Sequence, residues 1–297
     1  MAKQALVSEQ QERQRAVLGV IGGSGLYDLE HLTDVQRVRL ETPFGDPSDE
    51  YVVGNLGPSR VAFLPRHGRG HRISPSELNF RANVHGMKQL GVDFLLSVGA
   101  VGSLKPEIAP GHVVVPDQFI DRTFSRSSTF FGEGVVAHVQ CGDPVCERFA
   151  AAVTAATANE GATVHVGGTY VCMEGPQFST RAESNLYRSW GASVIGMTNL
   201  QEAKLAREAE LCFASLALCT DYDCWHEEEA DVDVASILAV LHANAALATR
   251  AIAGLARSLP SADCRCRSAL ANAIVTDRSA IPARTRERLA LIAGKYL

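Results

Sequence analysis

Several things the chain does not contain narrow its function before any motif is read. No apolar run is long enough to cross a bilayer without interruption: the most hydrophobic long stretch, residues 235 to 256, is broken by His242, Asn244 and Arg250 and reads as an amphipathic or largely buried helix. There is no excess of positive charge either. With 28 basic against 33 acidic residues the formal net charge is -5, and no long run of Lys and Arg creates a local exception. That excludes a general attraction to nucleic acid or an anionic membrane and favours work on small molecules. Residues 1 to 16 are mostly polar and charged and lack the apolar stretch of a secretory signal, so residues 1–15 are expected to form a flexible N-terminal leader in a cytoplasmic protein.

Cysteine is sparse, eight in 297 residues, and three of the eight lie in or beside strand-like apolar runs, as expected of buried thiols in a reducing compartment. Cys264-Arg265-Cys266 alone is unusual. Three readings stay open for it: a strained redox pair, one half of a metal site, or two incidental thiols in a C-terminal turn, since no second ligand pair at zinc spacing accompanies it. There is also no Pro, Gly and Ser linker and no period of 20 to 50 residues, so residues 16–297 are expected to form one domain.

What is present is a regular alternation. Apolar, β-rich runs at 16–22, 35–40, 51–56, 60–65, 93–100, 112–116, 163–173, 193–196 and 211–219 alternate with helical patterns at 77–90, 144–160, 180–190, 200–208 and 232–258. Residues 121–144 read as irregular and 280–297 as a final helix. This predicts an α/β fold with a central twisted sheet flanked by helices. Thr220-Asp221-Tyr222-Asp223 follows the apolar run ending at Cys219. If the chain stays extended, Asp221 and Asp223 face the same way, roughly 7 Å apart, at the strand end where α/β sheets bind ligands. The bland alternative is a pair of solvated loop acids.

Three further segments offer chemistry. Ile21-Gly22-Gly23-Ser24-Gly25 lets backbone N–H groups and a hydroxyl approach an anion, although it lacks both GxGxxG spacing and a Walker lysine and is also compatible with a plain tight turn. Pro65-Arg66-His67-Gly68-Arg69-Gly70-His71 puts guanidinium forks suited to phosphate at the end of a strand, or else is a solvated basic loop. In Glu174-Gly175-Pro176-Gln177-Phe178-Ser179-Thr180, Phe178 supplies a stacking face and Ser179 a hydroxyl. Thr180 with Glu183 three residues on is a capping box and reads as structural.

Together with Ser97-Val98-Gly99-Ala100-Val101-Gly102-Ser103 and Gly196-Met197-Thr198, these motifs stand in the order found in trimeric purine nucleoside phosphorylases, and the chain resembles that family over roughly residues 16 to 258, most closely its members that cleave 5′-methylthioadenosine. The resemblance implies a nucleoside phosphorylase-like fold with a mixed sheet. It implies a pentosyltransferase activity: phosphorolysis of the N-glycosidic bond of 5′-methylthioadenosine, giving adenine and 5-methylthioribose 1-phosphate. Inorganic phosphate would be the co-substrate, with no cofactor and no metal. The assembly implied is a homotrimer, or a hexamer made of two trimers.

Residue by residue, the resemblance implies that Ser24, Arg66, His67, Ala100 and Thr198 surround phosphate and that Met197 packs under the ribose. Phe178 and Ser179 would meet the purine, Asp221 its N7 and Asp223 its exocyclic amine. Val234, Ile237 and Leu238 would line an apolar 5′ pocket, and His138 would reach a neighbouring subunit's site. Asp221 and Asp223 are the expected catalytic pair, with the proton for N7 on Asp221 at a pKa raised by burial and by Asp223. Two departures stand out: Gly99 where relatives often carry Ser or Thr, and Met197-Thr198-Asn199-Leu200-Gln201-Glu202 without the family's proline. A 6-oxopurine nucleoside or methylthioinosine phosphorylase and a non-catalytic nucleoside-binding module remain the alternatives.

Overall fold

The structure, a computed structural model, describes residues 16–23, 32–226 and 234–297, with the side chains of 234–239, 241 and 242 left out of the description. In chain order the elements are β1 (Leu18–Gly22), β2 (Thr33–Val38), β3 (Tyr51–Leu56), β4 (Ser59–Pro65), α1 (Phe80–Gln89), β5 (Phe94–Ser103), β6 (Val113–Val115), β7 (Gln118–Arg122) and α2 (Glu147–Ala158). They continue with β8 (Val164–Val166), β9 (Thr169–Met173), α3 (Arg181–Ser189), β10 (Val194–Gly196), α4 (Asn199–Glu208), β11 (Cys212–Asp221), α5 (Val234–Arg257), α6 (Ala283–Arg288) and α7 (Ala290–Ala293).

The expected mixed sheet forms, and it forks at β5. One path runs β2-β3-β4-β1-β5-β10-β9-β7; on the other side β5 pairs with β11, which continues to β6 and β8. β1, β4, β5 and β11 run parallel, so their carboxyl ends open on one side. β10 turns back antiparallel beside the end of β5, with Ile195 opposite Gly102. β5 and β11 are near-continuous apolar runs because neither has a solvent face: nine of the ten residues of β11 are buried. Helix α1 packs on α4, and α2 and α5 pack together against β11, covering the sheet.

Local chemistry accounts for two helix starts. Asn79 caps α1 by accepting from Ala82 N–H, and the predicted capping box forms at the start of α3, with Thr180 and Glu183 bonded reciprocally. Three expectations need correction. The run 163–173 is two strands, broken where Gly167 and Gly168 take positive φ. Part of the segment read as irregular belongs to β7, held by pairing to β9, which no local pattern announces. The final helix is interrupted at Leu289, whose φ of -93° and ψ of 3° depart from helical values and whose side chain is fully buried.

Candidate active site

The four parallel strands deliver Gly23, Arg66, residues 99–102 and Asp221 to one cavity of about 370 Å³, which Met173, Phe178, Met197, Thr198 and Asp223 also line. This is the crevice beyond the carboxyl ends of the strands.

At one end lies Arg66, 1% exposed. Its Nε and Nη2 donate to the two oxygens of Glu202 at 2.6 and 3.0 Å, Nη1 donates to the Val98 carbonyl at 3.0 Å, and Nη2 is also in reach of Ser97 Oγ and the Ile21 carbonyl. Such a side-by-side pair fixes the plane of the guanidinium. A Cβ placed on Gly99 would lie 3.6 Å from Arg66 Nη1. His67 points Nδ1 at the Ile73 carbonyl, 2.8 Å away. A carbonyl can only accept, so the ring keeps its proton there and presents Nε2 as an acceptor. Burial, aided by the charge of Arg66, pushes the His67 pKa down to about 4, and the ring stacks on His71 at 4.3 Å. Thr198 stands at the N-terminus of α4, where its side chain makes no capping bond. The first turn of that helix is buried, and the helix dipole there favours an anion.

At the other end the aspartates are closer knit than two residues of extended strand. The ladder slips between Cys219 and Asp221, and Asp223 takes a left-handed φ of 53°, a conformation Asp tolerates. The turn lets Asp223 N–H donate to Asp221 Oδ1 at 2.8 Å, while Thr220 Oγ1 donates to Asp221 Oδ2 at 2.7 Å. Burial, opposed by the Ser184 hydroxyl and reinforced by the charge of Asp221, holds the carboxyl of Asp223 above the usual carboxylate range. Its Oδ2 is buried and makes no hydrogen bond of good geometry, although the Ser184 and Ser179 hydroxyls lie close to the carboxyl, so it has room to accept a further donor. Gly102 lies close beneath the pair: a Cβ there would come within 2.9 Å of Asp221 Oδ1 and displace it.

Between the two ends Met197 forms part of the wall. The turn at Gly175, φ 67°, presses so closely that a Cβ there would lie 2.5 Å from the Met197 sulfur. Arg126, with its side chain buried, donates to the carbonyls of Met197 and Glu174 and to Gln201 Oε1, and so ties this wall to the segment before it.

The architecture has known counterparts. The model of the phosphorylase superfamily matches residues 17–258. The chain belongs to the phosphorylase superfamily. Within it, the chain is 61% identical to S-methyl-5′-thioadenosine phosphorylase of Geobacter sulfurreducens over 95% of its own length and 99% of that protein, and 60% identical to the protein of the same name from Koribacter versatilis over 95% and 97%. Among solved structures, a methylthioadenosine phosphorylase from an antarctic soil metagenomic library superposes with a TM-score of 0.89 at 47% identity, covering 94% of this chain and 99% of that one. Methylthioadenosine phosphorylase from Schistosoma mansoni in complex with adenine gives 0.80 at 33%, covering 94% and 98%.

The phosphorylase cavity brings together eight of the residues singled out in the sequence: Arg66, His67, Ala100, Phe178, Met197, Thr198, Asp221 and Asp223. Ser179 lies just behind, its hydroxyl near Asp223 and its carbonyl accepting from Cys224. His138 is exposed and lines a separate hollow with Arg207 and Arg265. Ser24 lies outside the described residues, as do the side chains of Val234, Ile237 and Leu238, whose backbone belongs to α5. Sequence reasoning missed Glu202 and Ser97, which hydrogen-bond Arg66, Asn199, which accepts from Ser97 Oγ, and Arg126, which wires the wall. Glu202 sits within the phosphorylase motif beginning at Met197 and could have been found there as a buried acid in want of a cation; Arg126 leaves no such signal.

Proposed function

We propose that this chain catalyses the phosphorolysis of 5′-methylthioadenosine by inorganic phosphate, releasing adenine and 5-methylthioribose 1-phosphate. The observation that carries the proposal is Asp223 Oδ2, a buried acceptor with no hydrogen bond of good geometry, in the same cavity as Arg66. Adenine offers a 6-amino donor to such an oxygen, whereas a 6-oxo group would meet it acceptor to acceptor. The names of the most similar relatives point the same way.

In this reading phosphate lies against Arg66, Ala100 N–H and the Thr198 hydroxyl at the N-terminus of α4. Because Glu202 already balances much of the Arg66 charge, the helix terminus and backbone donors share the grip. Holding phosphate beside the anomeric carbon makes its attack effectively intramolecular, and its charge stabilises the oxocarbenium-like sugar as the glycosidic bond breaks. The purine leaves with a proton on N7, drawn from the aspartate pair. Two interacting carboxyls titrate as a unit, and the burial that raises Asp223 keeps a proton available within it. We retain Asp221 toward N7 and Asp223 toward the amine. His67, kept neutral, offers Nε2 to a phosphate hydroxyl. Val234, Ile237 and Leu238 serve the 5′ substituent, and Ser24 the phosphate.

The enzyme is proposed to work as a single domain over residues 16–297, without a cofactor in the reaction, as a cytoplasmic homotrimer. In that trimer His138, which is exposed, is the residue to reach the neighbour's site. The described residues contain no helix long and apolar enough to cross a membrane.

The test is phosphate-dependent cleavage of methylthioadenosine, methylthioinosine and inosine, side by side. The expected order puts methylthioadenosine first in kcat/KM. A higher value for either 6-oxopurine nucleoside would overturn the adenine assignment. Tight binding of methylthioadenosine with no adenine released would overturn catalysis altogether.

A further inference from the structure

Four cysteines far apart in the sequence meet in one place. Cys146 stands at the N-cap of α2, where its side chain makes no capping bond. Cys212 opens β11, and Cys264 and Cys266 flank Arg265 in the turn beyond α5. Their sulfurs all lie within 4.8 Å of one another, with Cys212 and Cys264 3.2 Å apart and Cys146 and Cys264 4.0 Å apart. Cys146, Cys212 and Cys266 are buried and Cys264 is half-buried. A tetrahedral ion with metal–sulfur bonds of about 2.3 Å holds its sulfurs about 3.8 Å apart, so the spacing is that of a single four-coordinate ion. The missing second half of the Cys264-x-Cys266 pair is thus supplied by the fold.

The surroundings suit thiolates. Arg207, itself buried, brings Nη1 to 3.7 Å from Cys266 Sγ, and the N-terminus of α2 adds its positive dipole at Cys146. Both offset the net negative charge that four thiolates around a divalent ion would carry. All four are free thiols, and even Cys212 and Cys264 at 3.2 Å stand well beyond the S–S length of about 2.05 Å in a disulfide bond. We propose that Cys146, Cys212, Cys264 and Cys266 form a structural tetrathiolate zinc site. Soft thiolates select zinc over hard cations, and four protein ligands leave no open position for catalysis.

The site would bolt the C-terminal segment to the body. Beyond Cys266 the chain sends Leu270, Ile281, Leu289 and Ile292 into the main core, and the four ligands tie that segment to the start of β11 and the N-terminus of α2. Asp221 lies at the opposite end of β11, about 30 Å along an extended strand. The zinc would therefore act on stability and leave the chemistry of the cavity alone.

The experiment measures zinc by elemental analysis in protein purified without chelator, then records the absorption of the metal-stripped, reduced protein loaded with cobalt(II). One zinc per chain and the charge-transfer and ligand-field bands of tetrahedral cobalt thiolate are expected. In Cys264→Ser/Cys266→Ser, checked for native circular dichroism, zinc retention should fall by at least about tenfold and the melting temperature should lose its response to chelator. Reduced wild-type protein that takes up neither zinc nor cobalt overturns the proposal, as does a folded double variant that keeps its zinc. Should that variant fail to fold, the cobalt spectrum of the wild type decides alone.

Discussion

Arg66 and Glu202 meet as a two-point ion pair, 2.6 and 3.0 Å between the bonded atoms, with side chains 1% and 0% exposed. The residue expected to grip phosphate is therefore first a built-in part of the sheet, and its partner comes from α4, the helix whose N-terminus faces the same cavity. Cutting the pair leaves a buried cation unbalanced. Glu202→Ala is expected to cost about 3–5 kcal/mol of stability and to raise KM for phosphate as the guanidinium loses its orientation. Urea unfolding together with phosphate titration checks this; a loss below about 1 kcal/mol would show that Ser97 and the backbone carbonyls suffice.

The aspartate pair sets the pH response. Because Asp223 is held above the usual carboxylate range by burial, with the charge of Asp221 adding to it, the pair keeps its proton to a higher pH than an exposed carboxyl would. Activity should fall as pH rises through that elevated value, since the acid form is the donor. Asp221→Asn removes the group placed at N7 together with the charge beside Asp223: kcat should fall by about 10²–10⁴ and the alkaline limb of the residual kcat/KM should move to lower pH, with unfolding stability little changed. An unmoved limb would locate the titrating acid elsewhere.

Gly99 leaves room beside Arg66. The nearest atoms to an added Cβ are Arg66 Nη1 at 3.6 Å and Asn199 Oδ1 at 3.8 Å, ordinary contact distances. Gly99→Ser should fold normally and contribute a hydroxyl donor worth about 1 kcal/mol, lowering KM for phosphate about fivefold. Initial-rate kinetics with phosphate varied would register this; a raised KM would mean that the added side chain crowds the anion.

Glu208 couples stability to pH. Burial pushes its carboxyl up to about 7 from 4.5, although Thr129 Oγ1 and Phe130 N–H both donate to it at 2.7 Å. A raised folded pKa means the folded state binds the extra proton, so this contribution is intact below pH 4.5 and is lost as pH climbs through 7. His67 and His85, lowered to about 4 mainly by burial, act in the opposite sense below their ordinary value of 6.5. Comparing the wild type with Glu208→Gln cancels the histidines. The wild type should lose about 3 kcal/mol relative to the variant between pH 4 and 8; parallel stability curves would contradict the buried-acid assignment.

What the sequence determined by itself is what short-range physics encodes. Apolar runs with turn signals marked nearly every strand, Thr180 and Glu183 announced their own capping box, and Asp221 with Asp223 at a strand end marked the mouth of the crevice. The family was legible because six motifs kept their order. What only the tertiary structure decided depends on partners distant in the chain. Arg66 finds Glu202 136 residues away, and Arg126 reaches Met197 across 71. Cys264 and Cys266 acquire Cys146 and Cys212 because α2 and β11 pack together. The spacing of Asp221 and Asp223 was also settled there, by a slipped register and one left-handed residue. Local propensity fixes which segments become elements, whereas charge pairing and sulfur convergence arise only when packing brings those elements into contact.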